Sequence, residues 1–223
     1  MKPMERVPEP ELMDEAEQAR AYAEADFSEP HDAFVRHFRE RCPDFAGGEV
    51  VDLGCGPGDV TARFARAFPA ARILGVDGSA AMLDAGRHAL AGDPVLARIV
   101  FRQMRLPSGG IAAHRYEAVI SNSLLHHVAD PRVLWDAVRS AAQPGAAIQV
   151  MDLSRPEDRA AADALVARHA ADAPEVLKRD FLASLLAAYR PEEIRRQLDG
   201  AGLGQLTIEP VSDRHLLIWG RAT

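Results

Sequence analysis

The sequence contains little cysteine and no long apolar run. Cys42 and Cys55 are the two cysteines among 223 residues, and no CxxC pair occurs. This excludes a disulfide framework and a zinc knuckle. No segment approaches the roughly 18 consecutive apolar residues that a membrane span requires. The first residues are charged and lack the apolar stretch of a signal peptide. We therefore expect a soluble protein of the cytoplasm.

An excess of positive charge is also missing. The chain has 26 Lys and Arg residues against 33 Asp and Glu residues, which gives a net charge of −7. Proteins that bind nucleic acids usually present a basic face, because phosphate contacts supply much of their affinity. Arg195 and Arg196 share a predicted helix with several acidic residues, as on an ordinary solvated face. We expect no nucleic-acid partner.

Short apolar segments alternate with helical patterns through the middle of the chain. This alternation predicts a parallel sheet with helices on both faces, and right-handed crossovers make it doubly wound. Such sheets bind ligands at the carboxyl ends of their strands. The predicted strands are 50–53, 72–77, 99–101, 116–122 and 147–153, and the predicted helices between them are 59–68, 79–90 and 131–142.

The two ends of the chain add helices and a last pair of strands. Helices are predicted at 11–25, 28–42, 156–188 (divided at Pro174) and 190–201. The predicted strands 206–211 and 215–220 are joined by three residues, too few for a crossover, so they must be antiparallel neighbours. The prediction is a mostly parallel seven-stranded α/β sheet with an antiparallel last strand. Its domains are a helical cap over 1–44 and a sheet domain over 45–223, with a helical insertion at about 156–188.

A glycine-rich turn follows the first predicted strand, in the segment VVDLGCGPGDVT. Glycines allow positive φ and a close approach of the backbone to a ligand. Asp77 ends the second strand, 19 residues after Gly58, where an acid can accept both hydroxyls of a ribose. The spacing is GxGxG and not the dinucleotide pattern GxGxxG, and no GxxxxGK[ST] motif of an ATP site is present. The pattern indicates another nucleoside-containing ligand.

Four segments resemble motifs of class I methyltransferases that use S-adenosylmethionine (SAM). VVDLGCGPGDVT is similar to their first motif and ILGVDGSAAML to their second; YEAVISNSLLHHVADP is similar to the fourth-strand motif and VLWDAVRSAAQPGAAIQVMDL to the helix and turn before the fifth strand. The resemblance covers about residues 45–155. It implies a Rossmann-like fold, SAM as cofactor and S-adenosylhomocysteine as product. The cofactor contacts that it implies are Asp52, Gly54, Cys55, Gly56, Gly58, Asp77, Gly78, Met82, Gln103, Met104, Asn122, Ser123 and His127.

One position departs from the family pattern. Members of the family often carry an acid after the third strand that contacts the adenine amino group, and Gln103 takes that place here. An amide oxygen can still accept a hydrogen bond from the amino group.

His126 and His127 are the catalytic candidates. Methyl transfer is an in-line displacement that requires orientation, and it requires a base only when the acceptor carries a proton. Histidine titrates near neutrality, but this pair can equally be a structural turn that contacts the cofactor. Adjacent helical residues point about 100° apart, so one histidine at most is expected to face the methyl group. The histidines have no third ligand at metal spacing and no HExxH motif, so no metal is predicted.

The helical additions are expected to determine the substrate. The candidate substrate residues are Tyr22, Phe27, Asp152, Arg155 and Tyr189. Residues 181–203 are similar to a stretch of the quinone-biosynthesis and related small-molecule methyltransferases, which favours a small-molecule acceptor whose reacting atom is left open. The alternatives are a methyltransferase that acts on tRNA or protein, a non-catalytic SAM-binding protein and, least favoured, an NAD-dependent oxidoreductase. The acidic N-terminal helix suggests a homodimer.

Overall fold

Strands and helices alternate as the sequence predicts. A computed structural model describes residues 4–9, 27–107 and 109–223; Tyr22 and the helix expected at 11–25 lie outside them. The strands are β1 (Gly48–Leu53), β2 (Ala71–Asp77), β3 (Ile99–Gln103), β4 (Tyr116–Asn122), β5 (Ala142–Leu153), β6 (Thr207–Pro210) and β7 (His215–Arg221). The helices are α1 (Ser28–Arg41), α2 (Asp59–Ala67), α3 (Ala80–Ala89), α4 (Arg132–Ala141), α5 (Arg159–His169), α6 (Glu175–Ala187) and α7 (Pro191–Gly200), with a short 3-10 helix at Pro94–Arg98.

One seven-stranded sheet runs through the described residues, in the order β3-β2-β1-β4-β5-β7-β6. The neighbours from β3 to β5 pair in parallel, whereas β7 pairs antiparallel with both β5 and β6. The predicted mostly parallel sheet with a reversed last strand is confirmed. The strand order reverses between β1 and β4, which is the place where open α/β sheets bind ligands.

Each face of the sheet has its own buried core. On one face, Phe34 and Phe38 of α1 pack with the apolar side of α2, and the ring of Phe38 lies 4.7 Å from that of Phe64. On the other face, α4 buries Leu134, Trp135 and Val138 completely. Val138 follows Trp135 by three residues and Leu134 by four, and residues at these spacings lie on one side of a helix. Helix α1 therefore belongs to the layer that covers the sheet, and the domain boundary at residue 44 stays a prediction.

The fifth strand differs from its predicted start. Residues 142–146 were expected to form the end of a helix and a turn, but β5 begins at Ala142, which pairs with Tyr116. The register then shifts before Ala118 pairs with Ala147. Gly145 has a φ of +80°, so the backbone bends at this point without leaving the sheet.

Helices α5 and α6 lie beyond the carboxyl end of β5. The predicted division at Pro174 is confirmed, since α5 ends at His169 and α6 begins at Glu175. Residues 4–9 run beside the end of α6, where Val7 N donates to Leu186 O at 3.0 Å. None of the described helices is long and apolar enough to cross a lipid bilayer.

Candidate cofactor cleft and acceptor cavity

The glycine turn after β1 forms the floor of a cleft at the carboxyl edge of the sheet. Gly56 has a φ of +52° and faces open space, because a Cβ added there meets no atom within 4 Å. Gly58 has a φ of +79°, and an added Cβ lies 2.4 Å from the ring of Phe101. Gly56 thus keeps room for a ligand, whereas Gly58 is required by the backbone and by packing.

Asp77 holds this turn in place from the end of β2. Its Oδ2 accepts a hydrogen bond from Gly56 N at 2.8 Å, and its Oδ1 accepts one from Ser79 N at 2.8 Å. Each carboxylate oxygen has a second lone pair. The same carboxylate can therefore order the turn and still accept ribose hydroxyls.

Asp52 lies beneath the turn and is 1% exposed. Thr61 Oγ1 donates to its Oδ2 at 2.6 Å. Burial raises the pKa of Asp52 to about 7, against the effect of the Thr61 hydrogen bond, and the negative charge of Asp77 adds to the rise. Buried carboxylates of this kind favour a nearby positive charge.

Most of the predicted cofactor residues line the cleft. They are Asp52, Gly54, Cys55, Gly56, Asp77, Gly78, Met82, Met104, Asn122, Ser123 and His127. Gly58 does not reach the lining. Gln103 is also outside it, since its exposed side chain donates from Nε2 to Gly78 O at 3.2 Å. The adenine contact of Gln103 stays a prediction. Sequence reasoning missed His31, which α1 brings to the cleft and which shares a 2.6 Å hydrogen bond with Asp59.

His126 is held by a buried carboxylate at the end of β5. Its Nδ1 lies 2.5 Å from Asp152 Oδ1, and the two side chains are 3% and 2% exposed. Leu125 N and Leu153 N also donate to Asp152. Burial opposes ionisation of this carboxyl, but the attraction of His126 outweighs it and lowers the pKa of Asp152. The carboxylate is ionised, so Nδ1–H of His126 is the donor and Nε2 points away from it.

Glu9 approaches both histidines from the N-terminal segment. Its Oε1 lies 3.4 Å from His126 Nε2 and 3.3 Å from His127 Nδ1. Burial raises the pKa of Glu9. The expectation that one histidine at most would face the methyl group stays a prediction, but the helical spacing on which it rested does not apply here. Residues 125–127 form a turn and not a helix, and the two rings lie 4.2 Å apart with both turned towards Glu9.

A second cavity of about 600 Å³ lies beyond these histidines. Its walls come from the start of α1, the α5–α6 region and the start of β7. The lining includes the apolar side chains Phe27, Pro30, Met151, Leu153, Leu177 and Phe181 and the polar side chains His126, His169, Asp172, Asp180, Arg214 and His215. Burial and the neighbouring Arg214 lower the pKa of His215 to about 4, so His215 is neutral at pH 7. The cleft and this cavity meet at His31, Asn122, Ser123 and His127.

Of the described substrate candidates, Phe27 alone lines this cavity. Asp152 lies behind His126. Arg155 is buried, where it donates to Ala188 O and Glu193 Oε1, each at 2.7 Å. Tyr189 is covered by the guanidinium of Arg6, 4.2 Å from the ring centre. The substrate roles of these residues stay predictions, and the contacts of Asp152, Arg155 and Tyr189 are with the protein itself.

Known proteins match this chain over its central region. Residues 50–145 match a family model described as a methyltransferase domain. The trans-aconitate 2-methyltransferase of Deinococcus radiodurans is 34% identical over 128 residues, which cover 56% of this chain and 45% of that protein. The central region of this chain is therefore similar to methyltransferase domains. The match spans less than half the length of this curated relative.

Solved methyltransferase structures have the same fold. A SAM-dependent methyltransferase of Aquifex aeolicus superimposes with a TM-score of 0.67 at 12% identity, over 94% of this chain and 99% of that one. A phosphoethanolamine N-methyltransferase 2 of Haemonchus contortus, in complex with phosphomonomethylethanolamine and S-adenosylhomocysteine, superimposes with a TM-score of 0.66 at 17% identity, over 88% of this chain and 43% of that one. These likenesses confirm the Rossmann-like fold.

The cleft fits SAM on two observations. Gly56 leaves open the space that a side chain would fill. Asn122 Oδ1 is buried and accepts no hydrogen bond from the residues that the structure describes, so it can receive one from the polar end of the cofactor. With Asp77 at the ribose position, these residues would hold the nucleoside at the edge of the sheet.

Proposed function

We propose that this protein transfers a methyl group from SAM to a small-molecule acceptor. The observation that carries the proposal is the junction of the two cavities at His31, Asn122, Ser123 and His127. A cofactor whose nucleoside lies over Gly56 and Asp77 would point its reactive end towards this junction. The acceptor would bind in the second cavity, on the other side of the junction. This arrangement allows the in-line geometry that displacement requires.

The residues of the cleft bind and orient the cofactor. Asp77 accepts from the ribose, and Asp52 supplies negative charge beneath the cationic end. When bound, SAM supplies a methyl carbon on a sulfonium, whose bonding electrons return to sulfur as a neutral thioether leaves. The neutral leaving group needs no proton, so the residues near the methyl group have only the acceptor to activate.

The size and lining of the second cavity favour a small acceptor. A volume of about 600 Å³ lies within the usual range for small-molecule sites, roughly 300–1,000 Å³. Apolar side chains such as Phe27 and Phe181 exclude water from part of the cavity, and polar side chains such as Arg214 offer hydrogen bonds to a small acceptor. A protein or tRNA acceptor would instead need a broad groove.

Activation of the acceptor falls to the histidines at the junction. His127 lines both cavities, and His126 lines the acceptor side with Asp152 behind it. An acceptor hydroxyl or amine loses its proton next to these groups as its lone pair attacks the methyl carbon. An acceptor that is already ionised needs orientation alone.

Trans-aconitate is the first acceptor to test, because the name of a relative in Deinococcus radiodurans specifies it. In the second cavity, which we call the acceptor cavity, Arg214 and His169 are groups that can bind a carboxylate. Trans-aconitate carries three carboxylates. The neutral His215 cannot balance their charge, and the carboxylates Asp172 and Asp180 would repel them, which argues against binding all three in this cavity. A smaller acid or an uncharged hydroxyl compound is the next choice.

Calorimetric titration with SAM, S-adenosylhomocysteine and NAD tests the proposal first. We expect micromolar binding of the first two and none of NAD. A screen of small metabolites for release of S-adenosylhomocysteine then identifies the acceptor. SAM binding without turnover on any metabolite, but with turnover on tRNA or protein, would replace the proposal with a macromolecular acceptor. Failure to bind SAM would remove it. The cytoplasmic location and the homodimer stay predictions.

A further inference from the structure

Glu9 from the N-terminal segment meets the neighbouring histidines His126 and His127 at the inner wall of the acceptor cavity. Glu9, His126 and His127 each offer one ligand atom, and the three atoms lie within 4.8 Å of one another. Glu9 Oε1 lies 3.4 Å from His126 Nε2 and 3.3 Å from His127 Nδ1. Two imidazole nitrogens and one carboxylate oxygen are a common ligand set for divalent transition metals.

The two distances from Glu9 Oε1 to the imidazole nitrogens match a shared metal ion better than a hydrogen bond. A hydrogen bond between an imidazolium and a carboxylate is about 2.7–2.9 Å long, and both contacts of Glu9 are longer than that. Ligand atoms about 2.0–2.1 Å from a tetrahedral zinc ion lie roughly 3.3–3.4 Å from each other. Glu9 Oε1 is also buried and accepts no hydrogen bond from the described part of the chain.

The surroundings of His126 are those of a metal ligand. Its Nδ1 donates a hydrogen bond to Asp152 Oδ1 at 2.5 Å, and its Nε2 is directed at Glu9. A carboxylate behind a histidine is the usual support of a metal-bound imidazole, since it fixes the tautomer and raises the basicity of the ligating nitrogen. Burial opposes a charge on His126, but the carboxylates of Asp152 and Glu9 raise its pKa, so a metal ion at Nε2 would take the place of a proton that faces Glu9.

The charges nearby also favour a cation. Glu9 and Asp152 bring two carboxylates to the cluster. Arg6 lies beside them, but its Nη2 donates to the backbone oxygen His126 O at 2.8 Å and not to either carboxylate. Ser184 Oγ donates to Glu9 Oε2 at 3.3 Å and orients the carboxylate so that Oε1 faces the histidines.

We propose that Glu9, His126 and His127 bind a divalent transition-metal ion at the wall of the acceptor cavity. The site uses three protein ligands, so a tetrahedral ion keeps one position open, as in catalytic zinc sites. This is a change from the prediction of no metal, which considered local spacing only. Glu9 lies 117 residues before His126 in the chain, and no local motif reveals such a ligand.

The use of this ion rests on the proposed function, whereas its binding does not. An acceptor oxygen at the open position would lie beside the junction with the SAM cleft. A bound ion lowers the pKa of a hydroxyl that it coordinates and fixes the direction of its lone pair. The hydroxyl proton leaves to solvent, the oxygen bonds to the methyl carbon, and the pair of the carbon–sulfur bond goes to sulfur. The favoured acceptor class is therefore a hydroxyl compound, not an amine.

Metal binding is tested directly on the 223-residue chain after removal of metals by a chelator. Zn²⁺ is titrated by calorimetry, and Co²⁺ is titrated by its visible absorption, which strengthens in a tetrahedral site. The ligand variants are Glu9→Gln and His127→Ala, with His126→Ala as a third if its thermal unfolding shows a folded protein. The matched controls are His88→Ala and Glu192→Gln, whose side chains are exposed and distant in sequence from the cluster.

We expect one ion per chain in the parent protein and in both controls. Loss of a supporting residue weakens metal sites by about 10–100-fold, so loss of a ligand should weaken binding by at least about 100-fold. Absence of stoichiometric binding, or equal binding by the ligand variants and the controls, would overturn the proposal. SAM affinity of the metal-free protein is measured in parallel. If SAM binding and turnover persist without any metal, the use of the ion in methyl transfer is overturned and the proposed methyltransferase stands.

Discussion

The SAM cleft and the acceptor cavity are neighbours, but they are built in different ways. The cleft is made by the ends of β1, β2 and β4, and its main residues lie in short motifs close to those strand ends. The acceptor cavity takes its walls from the start of α1, helix α6 and the start of β7, which are far apart in the chain. A binding site made from consecutive residues leaves a pattern in the sequence, and a site assembled by folding leaves little.

The two regions also differ in what their polar groups do. In the cleft, Asp77 and Asp52 satisfy backbone or hydroxyl donors and still face the ligand space. Around the acceptor cavity, Asp152 and Arg155 make their hydrogen bonds to other residues of the protein, namely His126 and Glu193. Burial and charge alone therefore did not distinguish a substrate residue from a supporting one. The following changes test this contrast, from the largest expected effect to the smallest.

Gly56→Val should abolish measurable SAM binding. The branched side chain would enter the space that the cofactor needs, and we expect a loss of at least about 100-fold, or 2.7 kcal/mol. Gly92→Val is the matched control. Gly92 also has a positive φ, +82°, and open space around it, but it lies in an exposed turn. Both variants should lose similar stability, and calorimetry should find SAM binding intact in Gly92→Val alone. Equal affinity in the two variants would contradict the position of the cleft.

Arg155→Ala should destabilise the fold without weakening SAM binding. The change leaves Glu193 and the carbonyl of Ala188 without their buried partner, which we expect to cost about 2 kcal/mol of unfolding free energy. Arg168→Ala is the control, because the exposed Arg168 pairs with Asp213 at the surface. It should change stability by about 0.5 kcal/mol or less. Urea unfolding measures both. Full stability of Arg155→Ala combined with a raised acceptor KM would return Arg155 to the substrate site.

Asp77→Asn should weaken SAM binding by about tenfold, since hydrogen bonds to a charged acceptor are stronger than those to an amide by roughly 1–1.5 kcal/mol. One of the donors Gly56 N and Ser79 N would also face an amide NH₂ group. Asp84→Asn, at an exposed position of α3, is the control and should bind SAM normally. Unchanged calorimetric affinity in Asp77→Asn would show that the ribose lies elsewhere.

SAM affinity should fall as the pH is lowered. Asp52 has a pKa of about 7 in the protein, so it becomes neutral below that pH and no longer attracts the cationic cofactor. Proton competition at such a group weakens binding by about fourfold between pH 8 and pH 6.5. Asp52→Asn removes the titrating group, and the difference between the two pH profiles isolates its effect. Parallel profiles would exclude Asp52 as the cause.

The sequence alone predicted the sheet, because strand and helix periodicities are local. Each of the seven strands appears where an apolar segment predicted it, and β5 differs mainly at its start, where Ala142 pairs with Tyr116 across a register shift. The residues that line the cleft were predictable for the same reason. The turn from Gly54 to Gly58 and the acid Asp77 have a fixed spacing, since one strand–helix–strand unit joins them.

Only the tertiary structure decided what surrounds the acceptor. It placed His31 between the two cavities and carried Glu9 to a pair of histidines that lie 117 and 118 residues further along the chain. It also turned both imidazoles towards one oxygen, because residues 125–127 form a turn instead of a helix. These contacts are made by packing distant segments against one another. No pattern within a single segment records which partner the packing will bring. The sequence therefore predicted the fold and the cofactor, and the tertiary structure decided which groups lie around the second cavity.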